Sequence, residues 1–161
     1  MKFAADRMLG RLAKWLRILG YDTIYDQNMD ANSVLSYTRD GRTVLTRGGR
    51  FRKDFLRGIV WIQDDRVDWQ IRQLLNENYI DAQGKEKFLL CSRCNVKLLA
   101  ANYPEAEGRV PEYVMHSQKK ILRCPACNRF YWSGTHQERM RHYIRARVIE
   151  TKEPESFSGG E

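Results

Sequence analysis

The sequence predicts an α/β fold, a parallel sheet flanked by helices on both faces, followed by a small C-terminal zinc ribbon. Three observations carry that expectation. Over residues 1–80, short apolar runs alternate with amphipathic stretches in the order β-α-β-α-β-α-β-α, which calls for parallel strands joined by right-handed crossovers. The run Gly58 to Gln63 is continuously apolar apart from its ends, as in a strand buried on both faces. Four cysteines then fall as two C-x-x-C pairs, Cys91/Cys94 and Cys124/Cys127, with 29 residues between the pairs.

The first strand is Phe3-Ala4-Ala5, which delivers Asp6 to the point where the period becomes helical. Met8, Leu12, Trp15, Leu16 and Leu19 then follow helical spacing and are expected on one buried stripe, with Arg7, Arg11, Lys14 and Arg17 on the other faces. Gly20 is placed to close the helix in a left-handed conformation. Tyr21–Tyr25 reads as the second strand. A helix over residues 31–38 follows, capped by Asp30 or Asn32, with Val34 and Leu35 inward and Asp40-Gly41 at its end. Arg42–Thr46 is the third strand, and a turn at Arg47-Gly48-Gly49-Arg50 leads to a short helix on Phe51, Phe55 and Leu56. After the fourth strand and Asp64-Asp65, a helix over residues 68–76 uses Ile71, Leu74 and Leu75 as its apolar set. Polar residues 81–87 read as a linker. The ribbon occupies residues 88–150, with strand-like runs at 96–99, 120–123 and 129–132 and a basic helix at 136–149, and residues 151–161 read as a disordered tail.

With 28 Lys+Arg against 20 Asp+Glu, the net charge of +8 favours a polyanionic partner. The excess is local: residues 1–60 and 91–150 each carry +6, whereas 61–90 and the tail each carry −2. No apolar window reaches the roughly 20 residues of a membrane span, and the charged N-terminal stretch is unlike a signal peptide, so a cytoplasmic location is expected. In such a setting paired C-x-x-C units read as metal ligands rather than disulfides. Two knuckles present four sulfurs to one ion, and a closed four-cysteine set is structural because no position remains for substrate; zinc is the expected ion, with iron chemically admissible.

The acids form a second pattern. Asp6, Asp22 or Asp26, and Asp64 or Asp65 follow strands, and strand ends are where ligands gather in parallel sheets. Converging there, they would suit an oxygen-preferring cation such as Mg²⁺ or Mn²⁺, able to polarise a phosphodiester. Taken singly, each acid is equally a helix cap or a solvated loop residue, and Asp6 caps a helix as readily as it binds a metal. Tyr131 and Trp132, with Arg129 and Arg139 nearby, suit either the small core of a ribbon or stacking with single-stranded nucleic acid. His136 reads as a packed ring or an RNA contact.

Asp6-x-Met8-Leu9-Gly10-Arg11-Leu12-Ala13-Lys14-Trp15-Leu16-Arg17-x-Leu19-Gly20-Tyr21-Asp22, then Leu45-Thr46-Arg47, then the two knuckles ending Tyr131-Trp132-x-Gly134-x-His136, resemble the PIN-like ribonuclease domain with a C-terminal zinc ribbon, best known from the C-terminal part of the Mut-seven exonuclease. The resemblance spans residues 1 to about 145. It implies a PIN fold and Mg²⁺- or Mn²⁺-dependent hydrolysis of RNA, with Asp6 as the first-strand acid, Asp64 or Asp65 as the fourth-strand acid, and Asp30 as the nearest match to an acid early in the second helix. Asp6 and Asp64 would hold the catalytic ion. Arg7, Arg11, Lys14, Arg17, Arg47, Arg50, Trp132, His136 and Arg139 would contact RNA, single-stranded or structured. The departure is Gly48: the family usually reads Leu-Thr-Arg-Asp where this chain has Leu45-Thr46-Arg47-Gly48. Two readings follow, a metal-dependent ribonuclease weakened by that loss and a non-catalytic PIN-like RNA-binding module. A third, a DNA-binding regulator using the ribbon, leaves the strand-end acids unexplained.

Overall fold

The computed structural model describes residues 1–49, 57–81, 89–118, 120–133, 142, 143 and 146. The first half is built on β1 (Lys2–Asp6), α1 (Gly10–Ile18), β2 (Asp22–Asp26), α2 (Ala31–Arg39), β3 (Arg42–Thr46), β4 (Ile59–Trp61) and α3 (Val67–Asn76). The strands are parallel in the order β2-β1-β3-β4, so the apolar β1 is central. Strand alternation splits the core. Phe3, Ala5, Leu45, Val60 and Ile62 pack with Leu12, Leu16, Ile71 and Leu74 of α1 and α3, whereas Ala4 and Val44 pack with Met29 and Val34 on the α2 side. Each fully buried Leu or Ile side chain contributes about 1.5–3 kcal/mol of transfer free energy, so the larger cluster dominates.

Three local expectations are corrected. A 3₁₀ turn, Arg7–Leu9, separates β1 from α1, so Leu9 takes the buried place expected of Met8, which is 53% exposed, while Leu12, Leu16 and Leu19 are buried as expected. Leu35 is 39% exposed, leaving Val34 to anchor α2. The fourth strand is at the sheet edge and is shorter than its apolar run, with Ile59 and Trp61 only half-buried. The close of α1 is as expected: Gly20 has φ 91°, and its N–H and that of Tyr21 donate to the carbonyls of Arg17 and Leu16. The expected helix at residues 51–56 lies outside the described residues, as do Arg50, 82–88, 151–161 and, apart from His142, Tyr143 and Ala146, the expected basic C-terminal helix.

The second half carries an antiparallel sheet of β5 (Leu99–Ala100), β6 (Ile121–Arg123) and β7 (Phe130–Trp132). Between β5 and β6 lie two short helices, α4 (Tyr103–Ala106) and α5 (Glu112–Ser117). The capping box of Asn102 and Glu105 around Pro104 starts the first of them, a pattern readable in Asn-Tyr-Pro-Glu. No helix among the described residues is long and apolar enough to cross a membrane.

Candidate functional site

The carboxyl edge of the parallel sheet carries one group of polar side chains. Asp6 ends β1 in register with Asp26, which ends β2, and Thr46 ends β3 on the other side of Asp6. Since Ala4, Ile24 and Val44 face α2, the residues two further on face α2 as well. Adjacent strands are about 4.8 Å apart, so the Asp6 and Asp26 backbones are immediate neighbours. Asp6 is 2% exposed, and both of its oxygens are engaged. Oδ1 accepts from the Met8 N–H at 2.9 Å, and Oδ2 accepts from the Thr46 hydroxyl at 2.5 Å, which in turn accepts from the Gly48 N–H at 3.0 Å. Asp6 therefore does cap the 3₁₀ turn, while remaining within the strand-end row. Asp26 is half-buried; its Oδ2 accepts from the Tyr37 hydroxyl at 3.0 Å and its Oδ1 from the Asn28 N–H. Burial and the bond to Asp26 push the Tyr37 phenol above its ordinary range. Gly10 admits the Tyr25 ring, whose atoms would be 3.1–3.3 Å from a Cβ there, and the Tyr25 hydroxyl donates to the Arg7 carbonyl.

The other expected acids stand apart. Asp30 is exposed and caps α2, accepting from the Ser33 N–H and hydroxyl, and these bonds hold its carboxyl below the ordinary range. Asp64 is half-buried and accepts from the Arg66 N–H at 2.7 Å at the entry to α3, while Asp65 is exposed. Asp22 is corrected outright. β2 begins with it, so it faces Lys2 at the opposite end of the sheet, about 13 Å along the strand from Asp26. Among the described residues no three acids come close enough together to share an ion; the four cysteines are the one such group. Of the cationic candidates, Arg7, Arg11 and Lys14 are exposed and Arg47 is half-buried. His136 and Arg139 lie outside the described residues. Trp132 packs against Ala106, Val110 and Val114, the ribbon-core alternative for that ring.

The cysteine centre is built from two copies of one loop. Cys91-Ser92-Arg93-Cys94-Asn95 and Cys124-Pro125-Ala126-Cys127-Asn128 each close with the asparagine N–H donating to the first cysteine's carbonyl at 2.9 Å, and with the asparagine left-handed, φ 62° and 56°. Asparagine tolerates that conformation better than other side chains. The repeated C-x-x-C-N was readable in sequence and identifies both asparagines, which the expected site omitted. All four sulfurs lie within 4.8 Å of one another, and Cys91 and Cys127 are 3.7 Å apart. A tetrahedral ion with bonds of ~2.3 Å requires sulfur separations of about 3.8 Å. The group thus fits a structural metal such as zinc. Burial pushes the thiols of Cys91, Cys94 and Cys124 up, but the Tyr131 hydroxyl, 3.1 Å from the Cys91 sulfur, and the N–H groups of Cys94 and Arg93 outweigh it at Cys91 and draw that thiol down to about 6. At Cys94, burial and the neighbouring sulfurs push the thiol up to about 12. Four thiolates would repel one another, and a divalent cation relieves that repulsion.

Arg17, expected among the phosphate contacts, is corrected: it is 8% exposed and belongs to the interior. Its Nε donates to the Thr23 carbonyl and its Nη1 to the carbonyls of Ser92 and Arg93, within the first knuckle. Asn95 completes the clasp, accepting from the Thr23 N–H at 2.9 Å and donating to Asp22 at 2.6 Å. Arg42 pairs with both Asp22 oxygens, at 2.9 and 3.0 Å. Burial raises the Asp22 pKa, and the bonds from Arg42 and Asn95 more than offset it, leaving the carboxyl below its ordinary value. Burial draws the Arg17 guanidinium down, against the pull of the Cys91 and Cys94 sulfurs.

A family model described as the Mut7-C RNAse domain matches residues 1–144. Comparisons with curated proteins and with solved structures returned no match.

Proposed function

Because the chain belongs to the Mut7-C RNAse domain family, a ribonuclease-type domain, we propose that it is a metal-dependent ribonuclease with Asp6 at the centre of its site. The observation that carries this reading is the strand-end row, in which Asp6 and Asp26 lie side by side with Thr46 next to Asp6. One or two carboxylates suffice for Mg²⁺ when water and substrate phosphate complete its shell, so Asp6 and Asp26 fit a hydrated Mg²⁺ or Mn²⁺ even with Gly48 in the place of a further acid. Such an ion, when bound, supplies Lewis acidity and an activated water. The chain's own contribution is orientation. Met8 N–H and the Thr46 hydroxyl hold both Asp6 oxygens, and Tyr37 and Asn28 hold Asp26, so neither carboxylate has to be ordered when RNA arrives. Arg7, beside Asp6 in the chain and exposed, supplies positive charge to an approaching phosphate. The cysteines would hold a structural zinc and take no part in hydrolysis. RNA is the proposed substrate and the cytoplasm the proposed location.

Gly48 favours a second reading, a binding module that grips RNA without cutting it, since the described residues bring no third acid to the row. Cleavage of labelled single-stranded RNA with Mn²⁺ separates the two. The enzyme reading expects cleavage by the native chain, lost in Asp6→Asn and enhanced in Gly48→Asp. Binding without cleavage in the native chain and activity only in Gly48→Asp would establish the module.

A further inference from the structure

The exposed cations of the 3₁₀ turn and α1 form a ridge. Arg11 and Lys14, at i and i+3 of α1, share one face and are exposed while Leu12 and Leu16 are buried opposite, and Arg7, in the 3₁₀ turn that precedes the helix, is exposed as well. Arg11 and Lys14 are about 4.5 Å apart along the helix axis, and Arg7 continues the row toward the strand end. No acid occurs between Asp6 and Asp22, so the ridge has no internal counter-charge. Its ends are two different places. Arg7 adjoins Asp6 at the carboxyl edge of the sheet, and the far end of α1 meets the first knuckle, where Arg17 holds the carbonyls of Ser92 and Arg93. Arg93 and Lys97 are exposed, and residues 91–97 contain no acid either. The two basic blocks of the sequence therefore meet at this junction. The surface of α4 and α5 offers a contrast: Arg109 is interleaved there with Glu105, Glu107 and Glu112, so it presents mixed charge.

We propose that a single RNA strand runs from the Asp6 edge along the α1 ridge and is held at its far end by the first knuckle, through Arg11, Lys14 and Arg93. The path rests on the ribonuclease reading for the position of its starting point, and it adds where the rest of the substrate goes. Phosphates contacted in this way release counterions, so each lost contact lowers the dependence of affinity on salt by a fixed increment, about 0.7 in the log–log slope for a single strand. The clasp gives the structural metal a place in binding: it fixes the knuckle that carries Arg93 at the far end of α1, without entering the chemistry.

The test is the salt dependence of binding of a fluorescein-labelled single-stranded oligouridylate, measured by anisotropy on the zinc-loaded chain without added Mg²⁺ or Mn²⁺. Arg11→Gln, Lys14→Gln and Arg93→Gln are each expected to reduce the slope by about 0.7 and the triple variant by about 2, whereas Arg109→Gln and Lys120→Gln, exposed cations away from the ridge, leave it unchanged. Unchanged zinc content and thermal midpoint in each variant assign the loss to the surface. Ridge variants with the native slope, or control variants that lose as much, overturn the path. Equal binding of a duplex of the same length overturns the single-strand assignment. Failure of the ribonuclease reading has a different signature, because binding would persist with its ridge dependence while added Mn²⁺ produced no cleavage.

Discussion

The two knuckles share a loop and differ in what the loop is fastened to. In the first, the asparagine that follows the second cysteine turns its side chain outward to the parallel sheet, bonding Thr23 and Asp22, and the carbonyls between the cysteines accept from Arg17. In the second, the corresponding Asn128 accepts from Arg123 of β6 within its own sheet, and Arg123 also meets Glu105 at 3.2 Å. The same C-x-x-C-N loop thus serves in one place as a joint between two sheets and in the other as a closure of the small sheet. The difference comes from partners distant in sequence, since nothing within CSRCN or CPACN distinguishes a docked loop from a free-standing one.

The largest effect expected is from metal removal, because structural zinc contributes on the order of 10 kcal/mol to folding in isolated modules. Chelation should unfold the ribbon and, through the clasp, speed hydrogen exchange at the Thr23 amide; an unchanged rate there would mean that the knuckle and the sheet are not coupled. Next comes Arg17→Met, which leaves carbonyls of both halves without a charged donor. A loss of about 2–3 kcal/mol in denaturant unfolding is expected, against less than about 0.5 kcal/mol for the exposed Arg129→Met beside the second knuckle. Asn95→Gly and Asn128→Gly keep the left-handed turn and delete only the side-chain bonds. Asn95→Gly should cost about 1–2 kcal/mol and Asn128→Gly about half that, since Asn95 bonds two partners and Asn128 one. The smallest effect is acid-dependent. The Asp22 carboxyl is depressed below its ordinary 3.8 in the folded chain, so its contribution is complete above that value and is lost as pH falls through and below it. Asp22→Asn should therefore flatten the stability profile below about pH 4 and lower the plateau above it, as read by urea unfolding.

What sequence could and could not reveal follows the same division between near and far partners. β3 was legible to the residue, Arg42–Thr46, because a β-branched run is bounded by glycines on both sides. Gly20 and the four cysteines were legible because turn and ligand chemistry are local. The second strand begins one residue later than its aromatic run suggested, and that single step brings Asp26 into register with Asp6 while leaving Asp22 at the far end. The edge position of β4 follows from strand order, which no local pattern encodes. The one-residue shift from Met8 to Leu9 arises where Asp6 caps a 3₁₀ turn instead of starting the α-helix directly. Arg17 was misassigned for the most general reason: a cation on an amphipathic helix reads as solvated until the carbonyls that take it are known.

Those carbonyls also set an order of events during synthesis. Arg17 leaves the ribosome 75 residues ahead of Ser92, and Thr23 precedes Asn95 by 72. Until the first knuckle emerges, the Arg17 Nη1 and the Thr23 N–H lack the Ser92, Arg93 and Asn95 oxygens that eventually accept from them, and only the Arg17 Nε has its partner, the Thr23 carbonyl. The growing chain can assemble its apolar core early, but the end of the sheet that carries Asp22 is sealed only once the ribbon has been made.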